Sequence, residues 1–200
     1  MVKSSLHGMV LASLFAALMA IGANITSIVP LLVIGNIPVT LQTVVCILAG
    51  ILLGKKWGPI AMIIYTLIGL AGMPVFAQWS GGAGSLLSPT FGFVLSYIVV
   101  AWVAGLITNN KKTYATLLTA AIIGTIINYG LGTNWMYMAY KFWFSAPDGF
   151  HYGLTWIWML PFVPKDLILA VFAALVSQKV LQAFPQTRTR KPKLSSQKAG

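Results

Sequence analysis

The sequence predicts an all-α integral membrane protein, a six-transmembrane-helix bundle with cytoplasmic N- and C-termini. Hydrophobic residues make up 58% of the 200 residues and charged residues only 8%, whereas soluble domains have about 45–50% and about 25%. The apolar residues fall in long runs, most of them close to the ~20 residues that one membrane span requires. These runs lack the apolar–polar alternation of an outer-membrane barrel strand.

Breaks in the apolar runs delimit six segments. The first ends at Pro30 and the second begins after Pro38, while Lys55-Lys56 and Lys111-Lys112 precede the third and the fifth. The fourth follows a glycine-rich loop, and the sixth ends before a basic tail. The predicted helices cover residues 9–29, 39–53, 57–76, 91–107, 114–140 and 156–183. The first run is about 20 residues, longer than the ~7–15 of a secretory signal, and is predicted to be a retained helix.

The segments form one predicted membrane domain, residues 1–184. Residues 185–200 are polar and basic, and they are predicted to be a disordered cytoplasmic tail that touches anionic lipid headgroups.

Basic residues predict the orientation. With a cytoplasmic N-terminus, all of the 13 lysines and arginines except Lys141 and Lys165 lie on the cytoplasmic side, which satisfies the positive-inside rule. The chain is therefore predicted to cross the cell (plasma) membrane several times. A net charge of +11 would suggest nucleic acid in a soluble protein, but no helix here presents a basic face to water.

Two loops on the predicted outer side carry no charge. Residues 30–38 are apolar and contain two prolines, and residues 77–90 contain three glycines. Irregular backbone at membrane depth is tolerated where it is buried in protein or lines a cavity. These loops therefore predict a pocket near the outer surface that they cap.

Few side chains are available for catalysis or metal binding. The chain has two acids, two histidines and the single Cys46, and their positions suggest no nucleophile–base pair or metal set. We therefore predict no catalytic residue, no metal site and no cofactor. Asp148 lies between proline and glycine, which is typical of a turn. Asp166 opens the last apolar segment, either as a carboxylate that balances the helix dipole or as a ligand-binding group.

Small residues recur every four positions on the first helix and therefore share one side of it. This row is Gly8, Ala12, Ala16 and Ala20. Such a row packs closely against a helix, either inside the bundle or on a separate membrane subunit. Residues 50–56 superficially resemble a phosphate loop but lack its spacing and its Ser or Thr, so energy from ATP would require another subunit.

Several segments closely resemble the BioY family of biotin transporters, in the same order and spacing along residues 6–183. They are residues 37–43 (Ile-Pro-Val-Thr-Leu-Gln-Thr), 48–54 (Leu-Ala-Gly-Ile-Leu-Leu-Gly), 69–77 (Gly-Leu-Ala-Gly-Met-Pro-Val-Phe-Ala), 80–82 (Ser-Gly-Gly), 88–90 (Ser-Pro-Thr), the Tyr129, Gly132 and Trp135 motif, and 161–166 (Pro-Phe-Val-Pro-Lys-Asp).

The resemblance implies a six-helix substrate-binding (S) component of an energy-coupling factor (ECF) transporter, an ABC-type transporter. It binds biotin near the outer surface and docks on a transmembrane coupling subunit that carries two ATPases. On this basis the small-residue row is the docking face. The implied biotin-binding residues are Asp166 for the ureido N–H groups, Ser80, Gly81 and Gly82 in a closing loop, Tyr129 and Trp135 against the rings, Gln42, and Lys165 or Lys141.

Four positions differ from the family pattern. Lys165 stands where the family has a glycine before the aspartate, and Leu169 stands where it has a lysine three residues after the aspartate. Val94 stands in place of an arginine, and Ser80 stands in place of an asparagine. The carboxylate of biotin would then pair with Lys165, with Lys141 or with backbone N–H groups at the helix start, or stay solvated. An S component for another small carboxylate vitamin is the alternative; an intramembrane enzyme and a pure scaffold are disfavoured.

Overall fold

A computed structural model describes residues 5–28, 33–34, 37–38 and 40–184. Helices dominate this part of the chain, and the remainder is loops, short 3-10 turns and one antiparallel pair of two-residue strands. The helices are α1 (Ser5–Ile28), α2 (Gln42–Leu70), α3 (Phe91–Ile107), α4 (Tyr114–Phe142), α5 (Tyr152–Met159) and α6 (Val163–Ala183), and the strands are β1 (Val33–Ile34) and β2 (Ile37–Pro38).

Several helices have the length and composition to cross a membrane. Four such stretches are Ser5–Ile25, Gln42–Leu70, Tyr114–Phe142 and Tyr152–Ala183, and α3 is a shorter apolar helix. The last stretch joins α5 and α6 through the 3-10 turn Leu160–Phe162. The prediction of an all-helical membrane protein is therefore confirmed.

A sharp turn at Gly54 divides α2 into two antiparallel arms. Gly54 has φ 82° and ψ 179°, a conformation essentially confined to glycine. Across the turn, Gln42 Nε2 donates to Tyr65 Oη over 2.9 Å, although the two residues would be about 35 Å apart along a straight helix. Residues 42–53 and 55–70 form the arms, which correspond to the second and third predicted segments.

The largest differences from the predicted boundaries lie at the end of α2 and in the final helical run. The second arm of α2 ends at Leu70 and not at residue 76, because the chain turns at Gly72, where φ is 105°. The final helical run begins at Tyr152, four residues early, and a 3-10 turn at Pro161 interrupts it. The predictions for residues 185–200, and for residues 30–38 apart from the two strands, lie outside the described residues.

The small-residue row of α1 packs inside the chain. A Cβ on Gly8 would overlap the indole of Trp57, while Ala12 and Ala16 are buried at 0% and 5% exposure. Gly8, Ala12 and Ala16 therefore face the core, which corrects the prediction of an external docking face for these three residues, while Ala20 is half-buried. The outward face of α1 carries large apolar residues with Ser13 and Ala17 between them. These large residues are Leu6, Val10, Leu14, Leu18 and Ile21.

Candidate ligand-binding site

A cavity of about 1080 Å³ opens between the helix ends and the loop of residues 71–90. Its wall combines a few polar groups with apolar and aromatic side chains, the usual make-up of a small-molecule site. Contributions come from the start of α2 (Gln42, Thr43), the loop (Phe76, Gln78, Ser80, Ser88), α3 (Phe91, Val94, Tyr97), α4 (Asn128, Tyr129, Met136, Tyr140) and the α5–α6 run (Trp158, Phe162, Lys165, Asp166).

Asp166 is the buried acid of this wall, with 6% exposure. Tyr129 Oη donates a 2.6 Å hydrogen bond to Asp166 Oδ2, and Lys165 Nζ lies 2.7 Å from Oδ1. The ammonium approaches Oδ1 outside hydrogen-bond geometry, so Oδ1 has no hydrogen-bond donor among the described residues. Because Oδ1 has almost no solvent-accessible surface and contacts Lys165 Nζ, an N–H or O–H group of a ligand can bind it only where the neighbouring side chains shift.

Lys165 balances the charge of Asp166. Its side chain is 27% exposed, and its Nζ also donates to the carbonyl oxygen of Thr40 over 3.3 Å. A buried carboxylate requires such a partner, because removal from water would otherwise disfavour its charged form. The Lys165–Asp166 pair gives the wall one charge of each sign.

The start of α6 does not offer a free helix terminus. The α5–α6 run continues through the 3-10 turn, and the Val163 N–H donates to the Leu160 carbonyl oxygen. The prediction that this helix start would bind an anion is corrected for that reason. The helix-dipole interpretation of Asp166 is weakened for the same reason.

Polar residues from three helices lie deeper in the wall, and the sequence prediction included only Gln42 among them. Asn128 Nδ2 donates to Ser96 Oγ over 2.6 Å, and Thr43 and Tyr97 also line the cavity. An amide within an apolar segment is itself a functional signal. Asn128 could have been found on that basis.

The two glycines of residues 80–82 shape the loop and do not line the cavity. Gly82 has φ 90° and its N–H donates to Gly69 O over 2.7 Å, whereas a Cβ on Gly81 would overlap the Met73 carbonyl oxygen. Ser80 does line the cavity, with its hydroxyl donating to Ala77 O over 2.8 Å.

Asn24 of α1 anchors the same loop, a role that the sequence analysis missed. The Trp79 N–H donates to Asn24 Oδ1 over 2.7 Å, and Gln78 and Trp79 both have positive φ, 59° and 55°. Positive φ is uncommon for residues other than glycine. The buried amide of Asn24 therefore helps to fix an unusual backbone conformation beside the cavity.

Trp135 and Lys141 lie outside the wall, in contrast to Tyr129. Trp135 Nε1 donates to Ser88 O over 3.1 Å, so its indole supports the loop. Lys141 Nζ lies over the rings of Tyr137 and Phe142, 5.7 and 5.4 Å from their centroids. Leu169 packs against the core. The described residues contain no group of three or more His, Cys, Asp or Glu that could hold a metal ion.

Comparison with known proteins identifies the family. The family model described as "BioY family" matches residues 1–186. The chain belongs to the BioY family. The putative biotin transporter BioYB of Bacillus subtilis is 44% identical over 178 residues, 88% of each chain. The biotin transporter BioY of Thermotoga maritima is 36% identical over 170 residues, 84% of this chain and 92% of that one.

A solved structure shares the fold. The S component for biotin from an ECF-type ABC transporter superposes with a TM-score of 0.73 at 22% identity, covering 88% of this chain and 92% of the other. This BioY chain therefore has the S-component fold, and the sequence resemblance to the family is confirmed.

Proposed function

We propose that this chain is the membrane-embedded biotin-binding S component of an ECF-type transporter and acts in biotin uptake. The observation that carries the proposal is the Asp166 carboxylate, which lines the cavity of a BioY-family chain and has Tyr129 and Lys165 as its partners. The ureido group of biotin supplies N–H donors, and a carboxylate is a strong acceptor for them.

Each neighbour of Asp166 has a distinct part in this binding. Tyr129 holds Oδ2 in place and thereby orients the carboxylate, while Lys165 offsets the buried negative charge. The aromatic wall, which includes Phe76, Phe91 and Tyr140, packs against the apolar ring system. Biotin is the cargo, and the protein requires no cofactor.

Calorimetric titration of the purified protein tests this function. We expect biotin to bind and Asp166→Asn to weaken binding about 10- to 150-fold, because hydrogen bonds to charged groups contribute about 1.5–3 kcal/mol. Biotin methylated on its ureido nitrogens should lose the same interaction in the unmodified protein. Thiamine, the control vitamin, should give no heat.

Three results would contradict the proposal. Absence of binding by biotin would reject the substrate, and binding of thiamine instead would favour an S component for a different vitamin. An Asp166→Asn effect below about twofold would remove Asp166 from the site.

We propose six spans in the plasma membrane with both chain ends in the cytoplasm. The spans are α1, the two arms of α2, α3, α4 and the α5–α6 run. Lys55 and Lys56 then lie on the same side as Lys111 and Lys112, as the positive-inside rule requires. Labelling single cysteines in a Cys46→Ala background tests this topology. Asp148→Cys should react with an impermeant reagent in intact cells, whereas Asn110→Cys should react only after permeabilisation.

We also propose that a transmembrane coupling subunit and two ATPase subunits complete the transporter, with the outward face of α1 as the docking surface. Ser13 and Ala17 are exposed on that face, and small residues allow close helix approach. Reaction of Asn110→Cys in intact cells would contradict the topology on which this docking side depends.

A further inference from the structure

The charges of the cavity wall are balanced and already paired. Among the described residues that line it, Lys165 and Asp166 are the only lysine, arginine, aspartate or glutamate, and they contact each other at 2.7 Å. Residues 29–32, 35–36 and 39, which complete the neighbouring connection, include no basic residue in the sequence. A ligand carboxylate therefore meets no unpaired cation in the described wall.

The other basic side chains in this part of the chain are directed elsewhere. Lys141 lies over the rings of Tyr137 and Phe142, and its side chain is outside the wall. His151 is exposed, with Nδ1 2.9 Å from the Gly149 carbonyl oxygen. Neither residue is placed to hold an anion within the cavity.

Lys165 is fixed at the wrong end of the ligand for a carboxylate partner. This step rests on the proposed function, in which Asp166 accepts the ureido N–H groups. The ureido ring and the carboxylate lie at opposite ends of biotin, joined through the thiolane ring and a four-methylene chain. Lys165 contacts Asp166 and Thr40 and therefore lies at the ureido end.

Three hydroxyl groups of the wall are engaged within the protein. Ser80 Oγ donates to the Ala77 carbonyl oxygen, and the hydroxyls of Ser88 and Thr90 are bonded to each other over 2.9 Å. The cavity volume of about 1080 Å³ reaches the upper limit of the ~300–1,000 Å³ that is usual for small-molecule sites. The side-chain end of the ligand therefore has space but no dedicated charged partner.

We infer that this site recognises the ureido ring system independently of the carboxylate, so that neutral esters and amides of biotin are ligands as well as biotin itself. The carboxylate remains hydrated at the mouth of the cavity, since an ion transferred into a wall without a partner would lose its hydration free energy.

Calorimetric titration of the full-length chain with biotin, biotin methyl ester and biotin N-methylamide tests the inference. We expect the three dissociation constants to agree within about fivefold, because a charged hydrogen bond to the carboxylate would separate them by about 10- to 150-fold. Lys165→Met should weaken biotin and its ester by the same factor, since Lys165 acts through Asp166. Lys141→Met, the matched control, should leave all three affinities unchanged.

The outcomes separate this inference from the proposed function. If biotin binds but its ester or its amide binds about fivefold more weakly or worse, a partner holds the carboxylate and the inference is overturned. A Lys165→Met loss confined to biotin would identify Lys165 as that partner. If biotin itself does not bind, the proposed function fails and this inference fails with it.

Discussion

Tyr129 and Asp166 come from different helices, yet their side chains form a short polar contact in the cavity wall. The 2.6 Å bond from Tyr129 Oη to Asp166 Oδ2 orients the carboxylate, and Oδ1 contacts the Lys165 ammonium. A ligand then meets an acceptor whose orientation is already set, which reduces the entropy lost on binding. Tyr129 is therefore a positioning residue.

We expect Tyr129→Phe to lower biotin affinity on the order of tenfold, because it removes a hydrogen bond to a charged group. The matched control is Tyr137→Phe, on the same helix but outside the wall, which should keep the wild-type affinity. Titration calorimetry measures both variants. Equal affinities for Tyr129→Phe and the unmodified protein would show that Asp166 needs no help from Tyr129.

The sequence identified both residues of this pair but assigned Tyr129 to ring contacts. Motif resemblance selects positions, whereas a contact between residues 37 positions apart depends on how α4 packs against α6. Asn128, Thr43 and Tyr97 were missed for a similar reason. Each lies within an apolar segment, and the direction of its side chain is set by packing that no local pattern encodes.

At the scale of elements, the loop of residues 71–90 connects α1 to the cavity. Backbone N–H groups of the loop donate to Asn24 Oδ1 and to the Gly69 carbonyl oxygen. The indole N–H groups of Trp135 and Trp143 donate to the carbonyl oxygens of Ser88 and Leu87. These contacts fix the loop at several points along its length. Ser80 and Ser88 are thereby placed in the cavity wall.

Gly81 and Gly84 offer a matched test of this loop. Gly81→Ala should weaken biotin binding by about tenfold, since its methyl group overlaps the Met73 carbonyl oxygen and such overpacking costs about 1–3 kcal/mol. Gly84→Ala should be neutral, because an added Cβ there meets nothing within 4 Å. Calorimetric titration of both variants with biotin tests this prediction. Equal affinities of the two variants would show that the loop accommodates the Gly81→Ala methyl group without a change in the site.

Helix positions were predictable to within a few residues wherever proline, glycine or lysine pairs interrupt the apolar runs. α3 coincides with its predicted range, and α4 extends only two residues further. The errors occur at residues 71–76 and 152–155, where apolar side chains continue into irregular or additional helical backbone. A hydropathy pattern indicates which residues lie in a nonpolar environment, but it does not indicate their backbone conformation.

At the scale of the whole molecule, α1 has one face directed to the core of the protein and one face directed outward. Periodicity placed Gly8, Ala12 and Ala16 on one face, but could not show which way this face points. The structure directs it inward, where Trp57 fills the space above Gly8. The outward face remains available to lipid or to a partner.

Ala16 and Ala17 are adjacent and distinguish these faces. Ala17→Trp should reduce co-purification of the coupling subunit at least about fivefold while biotin binding is retained, because a bulky side chain prevents close helix approach. Ala16→Trp should lower the melting temperature, since it overpacks a buried position. Ile168→Trp, on the exposed face of α6, is the control. Normal assembly of Ala17→Trp would exclude this face from docking.

The turn at Gly54 has a consequence for how the chain enters the bilayer. The first arm of α2 has 12 residues, about 18 Å of helix at ~1.5 Å per residue, whereas the hydrocarbon core is about 30 Å thick. By itself, such a short segment is a poor start-transfer or stop-transfer signal for the translocation machinery. With the six proposed spans, we therefore expect the two arms to integrate together as a hairpin, so that the first arm reaches its final depth only after the second has been synthesised.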